Sequence, residues 1–232
     1  MALLTPLEAE ALALSLRVGL VSVVISLPFG IAASWLLARC RFPGKGLVSG
    51  AVHLPLVLPP VVVGYVLLLL FGRRGPIGAF LYDSFGITVA FTWKGAALAS
   101  AVMAFPLMVR AMQLSLEGVD QRLEAAARTL GAGRWRVFVT VTVPLMAPGI
   151  LVGIILGFAR SVGEFGATIT FVSNIPGETR TLPLALYTLT QAPGSDWPAA
   201  RLAIISVVLA LIALWASDIA ARRLDKRLRG QS

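Results

Sequence analysis

The sequence predicts an all-α, polytopic membrane protein with about five transmembrane helices. Three observations carry this. Of 232 residues, 57% are hydrophobic and 13% charged, whereas a soluble domain is about 45–50% apolar and about 25% charged. Five apolar runs reach about 20 residues, the helix length that crosses about 30 Å of hydrocarbon. The 20 basic residues outnumber the 11 acidic ones, for a net charge of +9, and they lie mainly between the runs. That is the pattern of a bilayer, whose cytoplasmic side collects Lys and Arg, and not of a nucleic-acid surface.

The runs extend from about Val18 to Ala38, Leu47 to Leu70, Thr88 to Val109, Val137 to Ala159 and Leu202 to Ala221. Residues 7–17 are helix-prone and extend the first run outward. Lys94 interrupts the third, where a lysine near a helix end can snorkel to the headgroups. No run alternates like a strand, which argues against a barrel. A sixth crossing arises only if residues 1–17 fold back or residues 165–185 insert. No repeat, low-complexity tract or long linker interrupts the chain, so residues 1–232 are expected to form a single transmembrane domain.

Charge sets the orientation. The loops after the first and third runs and the C-terminal tail hold 13 basic residues: Arg39, Arg41 and Lys45; Arg110, Arg122, Arg128, Arg134 and Arg136; Arg222, Arg223, Lys226, Arg227 and Arg229. The opposite side holds seven: Arg17, Arg73, Arg74, Lys94, Arg160, Arg180 and Arg201. The positive-inside rule places the N-terminus outside and the C-terminus in the cytoplasm, with Arg73 and Arg74 running against the bias. The N-terminus carries Glu8 and Glu10 and no basic residue before Arg17, so it lacks the basic region of a cleaved signal peptide and is expected to be retained.

Residues 110–136 are the most informative polar stretch. Asp120 can N-cap a helix. Val119, Leu123, Ala126 and Leu130 form one apolar stripe, Glu124 and Arg128 pair at i,i+4 on another face, and Gly131 stands where a C-terminal glycine ends a helix. Such a helix, about 15 Å long, either lies on the membrane surface or docks its stripe into a partner's cleft. Ala125-Ala126-Ala127, three residues, Gly131, nine residues, then Val141-Thr142-Val143-Pro144 resembles the Glu-Ala-Ala…Gly…Ile-x-Leu-Pro signature of ABC-importer permeases. Here Ala125 occupies the position of the signature's Glu, and Glu124 stands one residue earlier. The resemblance implies a type I ABC-importer permease fold. It also implies a coupling helix near 119–131, with Glu124, Ala125, Ala126, Ala127, Gly131 and Pro144 involved in coupling to an ATPase subunit.

Residues 159–191 alternate between polar and apolar and are too short of continuous hydrophobicity to cross alone. They form either a folded outer loop or a partly re-entrant lining element. The run Gly163-Glu164-Phe165-Gly166-Ala167-Thr168 is similar to that of permeases for molybdate, sulfate and tungstate. Phe171 to Tyr187, with the compact length, looks closest to molybdate permeases, and the resemblance covers nearly the whole chain, including Leu54 to Tyr65 in the second run.

Individual residues leave alternatives open. Seven prolines lie in the runs: Pro28, Pro55, Pro59, Pro60, Pro106, Pro144 and Pro148. They are either generic kinks or, for Pro55, Pro59 and Pro60, shapers of a central pathway, since broken helices are common at transport sites. Arg160 and Glu164, four apart, are either a local ion pair or part of an anion path. In the second case Arg160, Ser161, Thr168 and Thr170 offer donors to a tetrahedral dianion beside Gly163. His53, the only histidine, reads as a packed or interfacial residue, and Cys40 as a plain loop thiol. One cysteine excludes an intramolecular disulfide and any multi-cysteine metal site.

An intramembrane enzyme would need paired carboxylates, a His-Glu metal constellation or a nucleophile and base within the bilayer, and Asp and Glu are absent from the runs except Asp218 near an end. The chain has no Gly-x-x-x-x-Gly-Lys-[Ser/Thr] phosphate loop and is not itself an ATPase. The resemblance therefore implies a permease subunit of a molybdate importer in the bacterial inner membrane. It binds no cofactor, and ATP and Mg belong to a partner subunit. The implied partners are a second copy of the chain, two cytoplasmic ATP-binding subunits, a periplasmic molybdate-binding protein and membrane lipid, with no nucleic acid. Sulfate or tungstate transport, or an ATP-independent channel or secondary transporter, are the alternatives.

Overall fold

A computed structural model describes residues 4–228, and these form helices and turns with no strand among them. Residues 1–3 and 229–232, including Arg229 of the basic tail, lie outside the described residues. The helices are α1 (Pro6–Arg39), α2 (Lys45–Val57), α3 (Pro60–Phe71), α4 (Pro76–Phe85), α5 (Trp93–Glu117), α6 (Gln121–Thr129), α7 (Arg134–Val137), a π-helical turn (Phe138–Thr142), α8 (Val143–Leu145), α9 (Ala147–Val162), α10 (Gly166–Val172), α11 (Leu182–Thr190) and α12 (Asp196–Leu228).

Three helices, α1, α5 and α12, are long and apolar enough to cross a membrane, and the number rises to five if each of two bent pairs is one span. The second and fourth apolar runs are thus broken, not continuous. Between α2 and α3 the chain turns by 114° at Leu58 and Pro59, which are extended. A residue before proline is pushed out of the helical region, and two successive prolines enforce the break. The fourth run bends by 67° between α8 and α9. The π turn just before Pro144, in which the Val143 N–H bonds the Phe138 carbonyl, widens the helix where the proline ring would crowd the preceding turn. Pro28 and Pro106 lie inside unbroken helices.

The remaining boundaries also move. α5 begins at Trp93, not Thr88, so Lys94 sits in its first turn and is exposed. α1 runs unbroken from Pro6, with Thr5 and Glu8 forming a capping box, so residues 1–17 do not supply a fold-back crossing over their described part. Residues 165–185 do not make one either. They hold the short α10 and the start of α11, joined by a tight loop.

α5 is the axis of the bundle. Its Met108, Met112 and Leu116, with Val23 and Met146, form one core cluster. Against it lies a stripe of α9 with a small residue every fourth position: Gly149, Gly153, Gly157 and Ser161, all buried. Small residues let backbones approach where the bilayer supplies no hydrophobic drive between helices. A Cβ on Gly149 would come 2.8 Å from the Ala111 carbonyl oxygen and collide with the Ser115 side chain. Gly149→Val is accordingly expected to cost about 1–3 kcal/mol through overpacking, visible as a lowered unfolding midpoint in detergent. α12 lies at the margin, with only 6% of its apolar window buried in the chain.

Candidate functional site

Two groups of residues single themselves out, one near each end of α9. The first is built around α6. Asp120 caps it, its carboxylate accepting from the Arg122 N–H at 2.9 Å. At the other end the Gly131 N–H bonds the Arg128 carbonyl at 3.0 Å and the Ala132 N–H bonds the Ala127 carbonyl at 3.1 Å. With Gly131 at φ +86 this is a Schellman ending. The stripe expected to be apolar faces outward: Leu123 is 50% and Leu130 88% exposed, and Ala125 and Ala126 are exposed too. α6 therefore turns its small and apolar residues away from its own chain.

What holds α6 is Glu124, the one buried residue of the helix. Its Oε1 lies 3.3 Å from Arg39 Nη2 at the end of α1 and accepts from the Thr142 hydroxyl at 3.1 Å. Its Oε2 lies 3.5 Å from Arg128. Arg39 also donates to the Val119 carbonyl at 3.0 Å. One carboxylate thus ties α6 to α1 and to the π turn that leads through Pro144 into α9. The Glu124–Arg128 pair was visible in the sequence spacing. Arg39 and Thr142 were not, because their partner lies 85 and 18 positions away along the chain.

The second group surrounds the turn between α9 and α10. Glu164 is 2% exposed. Its Oε1 accepts from the Ala167 N–H at the start of α10, at 2.8 Å, and its Oε2 lies 2.5 Å from Arg160 Nη1. The hydroxyl groups nearby are engaged: Thr168 donates to the Phe165 carbonyl, Thr170 to the Gly166 carbonyl, and Ser161 shares a 2.8 Å hydrogen bond with Ser22 of α1. Gly163 ends α9.

The α2–α3 break meets this group directly. A Cβ on Gly166 would fall 2.7 Å from Pro60 Cβ, and one on Gly64 would fall 2.5 Å from the Ala167 carbonyl oxygen. The candidates Pro59 and Pro60 and the Gly163–Thr170 segment are therefore neighbours. Pro55 lies across the bend, in α2, a helix with no buried residue. The loop after α10 is tied down by Thr179, which accepts from the Ile175 N–H, and by Asn174, which accepts from Arg180. Glu178 accepts from the Trp93 N–H, and the Trp93 ring carries Arg17 at 3.7 Å from its centroid. The segment is thus a folded loop that returns α10 into the bundle and not a crossing. His53 only bonds the Ser49 carbonyl of its own helix.

The chain spends its buried charge on fixing an outward-facing helix through Glu124, one turn of the bundle through Glu164, and the joint of α1 with α12 through Glu8 and Arg201. It belongs to the family of binding-protein-dependent transport system inner membrane components, whose sequence model matches residues 26–229. It is 66% identical over 220 residues to the molybdenum transport system permease protein ModB of Escherichia coli (strain K12), covering 95% of this chain and 96% of that one. With ModB of Haemophilus influenzae the identity is 57% over 222 residues, covering 96% and 97%. Among solved structures, a bacterial alginate ABC transporter in complex with an alginate pentasaccharide-bound periplasmic protein superposes with a TM-score of 0.75 at 18% identity, covering 96% of this chain and 81% of that one. That likeness carries the fold, which is the type I ABC-importer permease fold. In this family ATP is hydrolysed by separate subunits.

Proposed function

We propose that this chain is the membrane-spanning permease subunit of an ATP-driven molybdate importer of the bacterial inner membrane. The observation that carries this is the 66% identity, over nearly the full length of both chains, to a molybdenum transport permease. The whole chain acts as one transmembrane unit. It pairs with a second copy, which puts the pathway on the two-fold axis, and with two cytoplasmic ATP-binding subunits that hold ATP and Mg. A periplasmic molybdate-binding protein delivers the anion.

In this reading α6 seats its exposed face, with Ala125, Ala126 and Ala127, on the ATP-binding subunit. Displacement of α6 is passed through Glu124 to Arg39 and α1, and through Thr142 and Pro144 to α9. The bundle then alternates between inward- and outward-open states. The turn at Gly163–Thr170 and the break at Pro59–Pro60 border the anion's path, and α10 moves with α3 because the two are in backbone contact.

The test is reconstitution with the partner subunits and binding protein. Uptake of molybdate should require ATP, and unlabelled tungstate and sulfate should compete to an extent that ranks the three anions. ATP-independent uptake would overturn the reading. Topology gives an independent check: a reporter fused at residue 125 should face the cytoplasm and one at residue 180 the outside, and the reverse result would remove the coupling assignment.

Gly131→Leu isolates the role of α6. A leucine at φ +86 costs about 1 kcal/mol or more locally, yet nothing lies within 4 Å of the position its Cβ would take. The membrane subunit should therefore accumulate normally while ATP-coupled uptake is lost. Uptake assays normalised to protein level check this.

A further inference from the structure

Beside α6 lie two adjoining cavities. One, of about 840 Å³, is apolar and runs along α1, lined by Pro28, Ile31, Trp35, Trp135, Phe138 and Val143 among others. The other, of about 410 Å³, is lined by Arg39, Gln121, Glu124, Arg128, Arg134 and Thr142 among others. Trp35, Arg134 and Phe138 line both, so the apolar channel adjoins the charged pocket.

The pocket is built for an anion. Three guanidinium groups face one carboxylate, which Arg39 and Arg128 already share, and Arg134 has no carboxylate partner among the described residues. The Arg39 side chain is 9% exposed, and its buried Nε has no hydrogen-bond partner among the described residues. A guanidinium edge of this kind is matched by a phosphate oxygen.

The channel gives the anion a tail. From Pro28 to Leu36, both lining it, α1 rises about 12 Å, close to the depth of one leaflet of a hydrocarbon core about 30 Å thick. At its charged end stand Trp35, 38% exposed, and Trp135, 75% exposed, the residue type that collects at the headgroup level. Basic pockets between transmembrane helices on the cytoplasmic side are where anionic headgroups bind.

We infer that this compound groove binds an anionic phospholipid of the cytoplasmic leaflet, its phosphate on Arg39 and Arg134 and one acyl chain between α1 and the α7–α8 segment. The inference rests on the orientation argued above and not on which anion is transported. Because Glu124 and Arg128 line the same pocket, the lipid would touch the α6 anchor itself.

The test uses the intact transporter, with its ATP-binding subunits, delipidated in detergent and then given phosphatidylglycerol, phosphatidylcholine or sn-glycerol 3-phosphate. Native mass spectrometry counts what each permease retains. Phosphatidylglycerol should be held about fivefold or more over phosphatidylcholine, and excess glycerol phosphate should not displace it. Arg134→Gln should lower retention about fivefold, the effect of one basic residue at an anionic lipid. Ala33→Trp, which fills the channel while keeping every arginine in the chain, should lower it as well. Equal retention of the two lipids, or indifference to both variants, overturns the site. Displacement by glycerol phosphate would make it a small-anion site. Retention by the isolated permease chain but not by the assembled transporter would show that another subunit covers the groove. Either of these last results refutes the lipid assignment, and none of the four bears on the uptake assay.

Discussion

Glu124→Leu is expected to abolish ATP-dependent uptake and to lower the unfolding midpoint of the assembled transporter. The side chains of Glu124 and Arg39 are 8% and 9% exposed. Removing one partner of such a pair leaves a charge buried without compensation, at about 3–5 kcal/mol, and here Thr142 also loses its acceptor. Arg128→Gln should cost less than about 1 kcal/mol, because Arg128 is 55% exposed and solvent screens its share of the pairing. The double variant Arg39→Met with Glu124→Leu separates the two roles of the pair. Replacing a buried ion pair by apolar groups of similar volume is often neutral or better for stability, so the midpoint should recover. Uptake should not, because α6 would have lost its fixed bearing on α1. Thermal unfolding and uptake in the three variants check this, and full uptake in Glu124→Leu would remove the anchor from the coupling path.

The sequence made the helical class, the apolar runs and both ends of α6 legible, because each depends on residues within a turn or two of one another. Composition sets the first, run length the second, and Asp120 and Gly131 the third. What it did not disclose depends on distance or on geometry. Continuous hydrophobicity from Leu47 to Leu70 hides a 114° turn, because hydropathy ignores backbone direction. The Leu58-Pro59-Pro60 triplet was the available signal. The Gly149–Gly153–Gly157–Ser161 stripe was equally in view at a period of four and identifies the face of α9 that meets α5. The Arg39–Glu124 and Ser22–Ser161 contacts join positions 85 and 139 apart, and no periodicity could pair them. In the candidate pathway, the Gly163–Thr170 run drew attention by its residue types, whereas its contact with Pro60 and Gly64 emerges only once α10 is seen to fold back on α3.

Arg160 and Glu164 pose the sharpest remaining choice between positioning a turn and attracting an anion, and the geometry favours positioning. Glu164 Oε1 holds the first turn of α10 through Ala167, and its Oε2 is neutralised by Arg160. Arg160→Gln should therefore strand a carboxylate whose side chain is 1% exposed. The cost falls toward the lower end of about 3–5 kcal/mol, because Arg160 itself is 28% exposed and water can enter where it was. Folded protein and uptake should drop together, by about tenfold or more. Glu164→Gln should be milder: its amide oxygen can still accept from Ala167, and Arg160 can turn to solvent. In the double variant Arg160→Gln with Glu164→Gln no charge is left to bury, and the two amides can bond each other. Protein level and uptake should both return to within about threefold of the parent, a residual of under 1 kcal/mol. If Arg160 served the anion directly, the double variant would reach normal protein level yet remain about 5- to 100-fold slow at limiting molybdate, the loss of one hydrogen bond to a charged group. Uptake at limiting anion, normalised to protein level in all three variants, decides between the two.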